Sequence, residues 1–115
     1  MRLLDVRVGA LALVLGCGPA LAASPEKGKD AYMKNGCFQC HGTIGQGSSI
    51  TSAGKVLTDT ALPYETFAAF VRTTNRAMPP YSEKILSDQA LADIHAYLQS
   101  VPRPPDVKSV PLLNP

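Results

Sequence analysis

Cys37-Phe38-Gln39-Cys40-His41 is the stretch on which the reading of this 115-residue chain turns. Residues three and four apart share one face of a helix, so a single turn presents Cys37, Cys40 and His41 together. Several chemistries use such a cysteine pair. A thioredoxin-like redox pair sits where a strand enters a helix in a βαβ frame, and no such frame is visible in the sequence. Structural zinc needs four ligands, and the rest of the chain offers only Cys17 and His95 as further Cys or His. The full C-x-x-C-H pattern is that of covalent haem attachment. There the two thiols add across the haem vinyl groups as thioethers, and His41 falls beneath the iron as the proximal ligand. A chance match to so short a pattern is weighed against what lies downstream.

Composition sets the frame. A chain of this length makes one domain at most. Its hydrophobic content of 45% marks it as globular, and its formal net charge of +2 gives no argument for nucleic acid or an anionic membrane as partner. Three cysteines, two of them in the motif, leave no disulfide framework. Residues 1–22 read as a secretory signal peptide. Arg2 and Arg7 form a basic start, Val8 to Leu15 an apolar stretch too short to span a bilayer, and Ala20-Leu21-Ala22 a cleavage site. An uncleaved anchor is the alternative. Cys17 follows Leu15-Gly16 in a partial lipoprotein box, although Leu15 fits that box poorly. The expected layout is a signal peptide at 1–22, a domain at 23–101 and a proline-rich tail at 102–115. So small a domain struggles to bury an adequate core unaided, and a flat apolar porphyrin would supply what is missing.

The order of elements follows from local signals. Ser24-Pro25-Glu26 starts a helix as N-cap, first-turn proline and acidic residue at the positive dipole end. That helix runs to about Asn35, where Gly36 stops it. Gly28, Ala31 and Tyr32 form its buried stripe. A mid-helix Gly28 costs about 1 kcal/mol relative to alanine, which is justified if another helix approaches closely. After His41 come Gly42, Gly45, Gly47 and Gly54 among serines and threonines, an aperiodic loop able to wrap a flat ligand or simply to lie on the surface. A helix over Pro63 to Thr73 places Phe67, Phe70 and Val71 on one face, where core and cofactor readings merge because the core expected there is the haem itself. Ser87 caps the last helix, whose stripe is Leu91, Ile94, Tyr97, Leu98 and Val101, the natural partner of Gly28 and Tyr32.

Met78 stands before Pro79-Pro80. Two prolines fix φ, remove two donors and hold the preceding residue out of helix. A thioether on a rigid extended segment suits a distal haem ligand, and His/Met ligation raises the iron's potential. An isolated methionine would otherwise be packing. His95, the other imidazole, is expected on a solvated helix face, with bis-His ligation as the less favoured reading. Beyond Val101 five of the ten prolines crowd the tail, which is expected to be extended polyproline II, mobile or packed on its own domain. A strap docking on a partner subunit is the sharper reading, suggested by Val110, Leu112 and Leu113.

With these motifs in hand, the chain up to about Ser100 resembles the class I c-type cytochromes of bacteria. The resemblance lies in Cys37-Phe38-Gln39-Cys40-His41-Gly42, Met78-Pro79-Pro80-Tyr81, Leu86-Ser87-Asp88 and Ala96-Tyr97-Leu98. It implies an all-α fold, three to four helices wrapped around one covalent haem c, with the first and last helices crossing. It also implies Cys37 and Cys40 as thioether sites and His41 and Met78 as axial ligands. In many relatives a Gly-Pro carbonyl orients the proximal imidazole; here the comparable place is Gly54-Lys55, whose carbonyl can accept the same bond.

The function expected is a periplasmic one-electron carrier, free or as the cytochrome subunit of a dehydrogenase or oxidase, with no catalytic residues of its own. Its partners would be redox proteins, with a membrane involved only through lipidation at Cys17 or a membrane complex. The alternative is a haem enzyme or gas sensor with an open or labile distal site. A structural haem subunit has no positive sign. Arg72, Arg76 and Lys55 are candidates to meet haem propionates, on charge and nearness alone.

Overall fold

A computed structural model of the protein describes residues 22–48, 54–58 and 62–113. The expected signal peptide, Cys17 included, lies outside them apart from Ala22. Among the described residues the regular structure is all helical: α1 (Pro25–Lys34), α2 (Phe38–His41), α3 (Tyr64–Thr73) and α4 (Asp88–Ser100), followed by two short 3₁₀ turns.

The helix ends follow their signals. Ser24 accepts the Lys27 N–H at its side chain, with Pro25 opening the first turn. Asn35 closes α1 and Gly36 leaves it at φ 75°, a left-handed conformation that suits glycine. Ser87 accepts the Ala90 N–H at the head of α4.

α1 and α4 cross closely. A Cβ on Gly28 would run into the Asp93 carbonyl, so the glycine permits the approach that its helix cost suggested. Around it Tyr32, Leu91, Ile94, Tyr97 and Leu98 are buried, with Val71 from α3 and Leu86 from the loop before α4. The Tyr32 and Tyr97 rings meet with centroids 5.6 Å apart and tilted by 59°. Each buried aliphatic side chain contributes about 1.5–3 kcal/mol of hydrophobic stabilisation.

Asp93 is the unexpected member of this core. It is only 4% exposed, yet its carboxylate has work at the crossing. One oxygen accepts the Ser24 N–H at 2.8 Å and the Gln89 side-chain amide at 3.0 Å. A carboxylate of α4 thereby satisfies a donor that the start of α1 would otherwise leave unpaired.

α3 buries Val71 and half-buries Phe67, while Phe70 is 54% exposed among the protein atoms. One expectation is corrected. The tail is not continuous polyproline II. Asp106 accepts the Lys108 N–H, and the Ser109 hydroxyl donates back to the Asp106 carbonyl, turning Val107–Ser109 into a 3₁₀ turn. A second turn follows at Pro111–Leu113. Local Asx bonding competes successfully with the proline preference.

Candidate functional site

The motif occupies one helical turn. Cys37 caps α2, and its carbonyl accepts the His41 N–H at 3.0 Å. Cys37 is half-buried against the core and Cys40 is exposed; both are free thiols. Burial pushes the Cys37 thiol above its ordinary value, since charging it there is penalised.

The His41 ring is set by a distant loop. Its Nδ1 lies 2.8 Å from the Lys55 carbonyl oxygen. A carbonyl can only accept, so Nδ1 carries a hydrogen towards it, and Nε2 is the ring nitrogen left to ligate a metal. Gly54 makes the approach possible, because a Cβ there would run into the Cys40 carbonyl.

The intervening loop is tied down by hydroxyls and backbone. Tyr32 Oη donates to the Gly42 carbonyl at 2.7 Å, and Tyr97 Oη donates to the Thr43 carbonyl at 2.8 Å. Gly47 N–H reaches the His41 carbonyl and Leu57 N–H the Gly45 carbonyl, each at 2.8 Å. Both tyrosines thus join the α1–α4 core to the loop after the motif. Their role was invisible in the sequence, where they counted only as apolar stripe.

Met78 packs half-buried against the same core as Cys37 and Phe38. Its segment is brought to the motif by Tyr81, whose hydroxyl donates to the Asn35 carbonyl at 3.0 Å, two residues before Cys37. Burial, and then the nearby Cys37 and Cys40 thiols, push the Tyr81 phenol above its ordinary value.

Two candidates change role. Arg72 does not fit as a propionate donor: its guanidinium is engaged with the Tyr81 and Leu86 carbonyls at 2.8 and 2.7 Å and with the Asp88 carboxylate at 2.7 Å. Lys55 and Arg76 are exposed. His95 is not simply solvated; its Nε2 lies 2.8 Å from the Leu62 carbonyl, and its ring packs on Phe67 and Tyr64 with centroids 5.2 and 5.7 Å away.

A groove of about 700 Å³ opens beside α2, lined by Phe38, Gly42, Gln46, Gly54 and Val56 among others. None of Cys37, Cys40, His41 and Met78 lines it, so it is not where the candidate ligating atoms converge. Among the described residues no three His, Cys, Asp or Glu side chains are grouped to hold a metal ion, which leaves the zinc reading without further ligands there. The donor set does fit a haem: an oriented imidazole, two unpaired thiols on the same turn, and a thioether on a proline-stiffened segment packed on the same core.

Residues 23–98 match the family described as cytochrome C oxidase, cbb3-type, subunit III. No curated protein and no solved structure gives a significant match to the chain. With the family matched over most of the chain and an all-helical frame around the Cys37–His41 turn, this chain belongs to the cbb3-type cytochrome oxidase subunit III family of c-type cytochromes, whose domain binds haem c and serves electron transfer.

Proposed function

We propose that the protein is an exported one-electron carrier or the cytochrome subunit of a redox complex, holding one haem through Cys37 and Cys40 thioethers with His41 and Met78 as axial ligands. The observation that carries this reading is the His41 Nδ1 contact with the Lys55 carbonyl at 2.8 Å, which leaves Nε2 as the ligating nitrogen. When bound, the haem supplies the one-electron chemistry, and filled axial positions suit outer-sphere transfer. The chain's own residues do the rest. Lys55 fixes the imidazole, Tyr32 and Tyr97 hold the loop after the motif, and Tyr81 keeps the Met78 segment beside the cysteines. The family description points to an oxidase assembly as one setting, and a signal peptide over residues 1–22 points to the periplasm.

Two measurements test this. The purified exported protein should weigh its mature chain from Ala23 plus one haem, with the haem retained after denaturation in acid acetone. Reduced protein should be slow and incomplete in binding carbon monoxide at neutral pH. A haem extracted by acid acetone would refute the thioethers. Rapid, complete carbon monoxide binding would favour the enzyme or sensor reading, in which the distal position is open.

A further inference from the structure

The segment carrying Met78 is anchored at both ends to one turn of one helix. On its near side Thr74 N–H reaches the Phe70 carbonyl at 2.9 Å, and the Thr74 hydroxyl makes only a long 3.4 Å contact with the Met78 carbonyl. On the far side Pro79 and Pro80 have no N–H to give. The first donor beyond the thioether is Tyr81, whose N–H reaches the Val71 carbonyl at 3.0 Å. From there the restraint passes to Arg72. One guanidinium nitrogen donates to both the Tyr81 and Leu86 carbonyls, and the other to Asp88 at the start of α4.

We propose that Arg72 is a positioning residue for the axial thioether: it clamps the chain on the far side of Pro79-Pro80 to the end of α3 and so keeps Met78 from swinging away from the iron. This rests on the His41/Met78 reading above. The bonds that matter are the two to carbonyls. They are charge-assisted, about twice as strong as neutral ones, and they leave from a side chain only 18% exposed. The Asp88 partner is 69% exposed, so that ion pair is screened by water and adds little. Removing the guanidinium frees two carbonyls at once and leaves the far side of the thioether segment tied to α3 through the Tyr81 N–H alone.

The test is the affinity of the oxidised holoprotein for imidazole, which competes with Met78 for the iron, measured beside global stability in denaturant. Arg72→Gln should raise imidazole affinity roughly tenfold or more, the equivalent of losing one charge-assisted hydrogen bond, and weaken the sulfur-to-iron absorption band. Arg72→Lys keeps a cation that cannot fork to both carbonyls and should fall between, which also covers failure of the Gln variant to mature. Asp88→Asn should change affinity by less than about twofold, because it removes only a screened pair. Ile94→Val, in the helix crossing, should lower stability and leave imidazole affinity unchanged. The proposal is overturned if Arg72→Gln and Arg72→Lys lose stability with affinity unchanged, or if Ile94→Val raises affinity as much as they do. A wild-type protein that binds imidazole as tightly as Met78→Ala would instead remove the ligand assignment itself, and the proposal with it.

Discussion

The α1–α4 crossing and the described parts of the loop after the motif, residues 42–48, 54–58 and 62, are held by different forces. The crossing is a packed core. Tyr32, Leu91, Ile94 and Leu98 are almost wholly buried, and Gly28 lets two backbones touch. Among the described loop residues, Leu57 packs against that core, and no loop residue joins its fully buried members. Ile44, Val56 and Leu62 stand substantially exposed, and order comes from glycines at positive φ, two tyrosine hydroxyls and a few backbone bonds. Packing energy is thus concentrated away from the motif, and hydrogen bonds set the geometry beside it. The difference teaches that the crossing should govern whether the chain folds, and the loop where the His41 ring points.

His41→Ala should have the largest effect, because no other side chain on the α2 turn can replace the imidazole. The expected outcome is loss of stable holoprotein, read as haem content per chain after export. Gly28→Ala comes next. Its Cβ meets backbone, which cannot rotate away, so the helices must part at a cost of about 3 kcal/mol, measured by denaturant unfolding of the holoprotein. Gly54→Ala sharpens the contrast, since it drives a Cβ into the Cys40 carbonyl on the loop side. It should cost less global stability than Gly28→Ala, about 1–2 kcal/mol, yet shift the reduction potential, which Gly28→Ala should leave nearly alone. Equal effects of both glycines on potential would erase the distinction between the two regions.

The smallest effect belongs to Tyr97→Phe, which deletes one hydroxyl bond between core and loop at a cost of about 1 kcal/mol. It carries a pH signature. Burial raises the Tyr97 phenol above its ordinary value, and burial, with Cys37 and Tyr97 nearby, raises Tyr32 further. A raised folded-state value leaves its contribution intact below the unfolded-state value of about 10 and loses it as pH climbs through the folded-state value. Stability should therefore be flat near neutrality and fall above about pH 10, less steeply in Tyr97→Phe. An unchanged alkaline slope in that variant would detach Tyr97 from the effect.

Helix positions, the Gly28 approach and the Leu91–Leu98 stripe were legible because periodicity and capping are local. The motif stood out because its residue spacing is fixed, and the structure places Cys37, Cys40 and His41 on one helical turn. Asp93 was not, since a carboxylate between Leu91 and Ile94 reads as solvated until the start of α1 is seen to need an acceptor. Arg72 was misread for the same reason: its charge was plain, but its three partners lie in segments that only the fold brings together.

The most direct measurement is the reduction potential of Met78→Ala against the wild type, taken with the sulfur-to-iron absorption band of the oxidised protein. The account predicts a substantially lower potential, a lost band and an iron that now takes up carbon monoxide. A potential and band unchanged by Met78→Ala would contradict it.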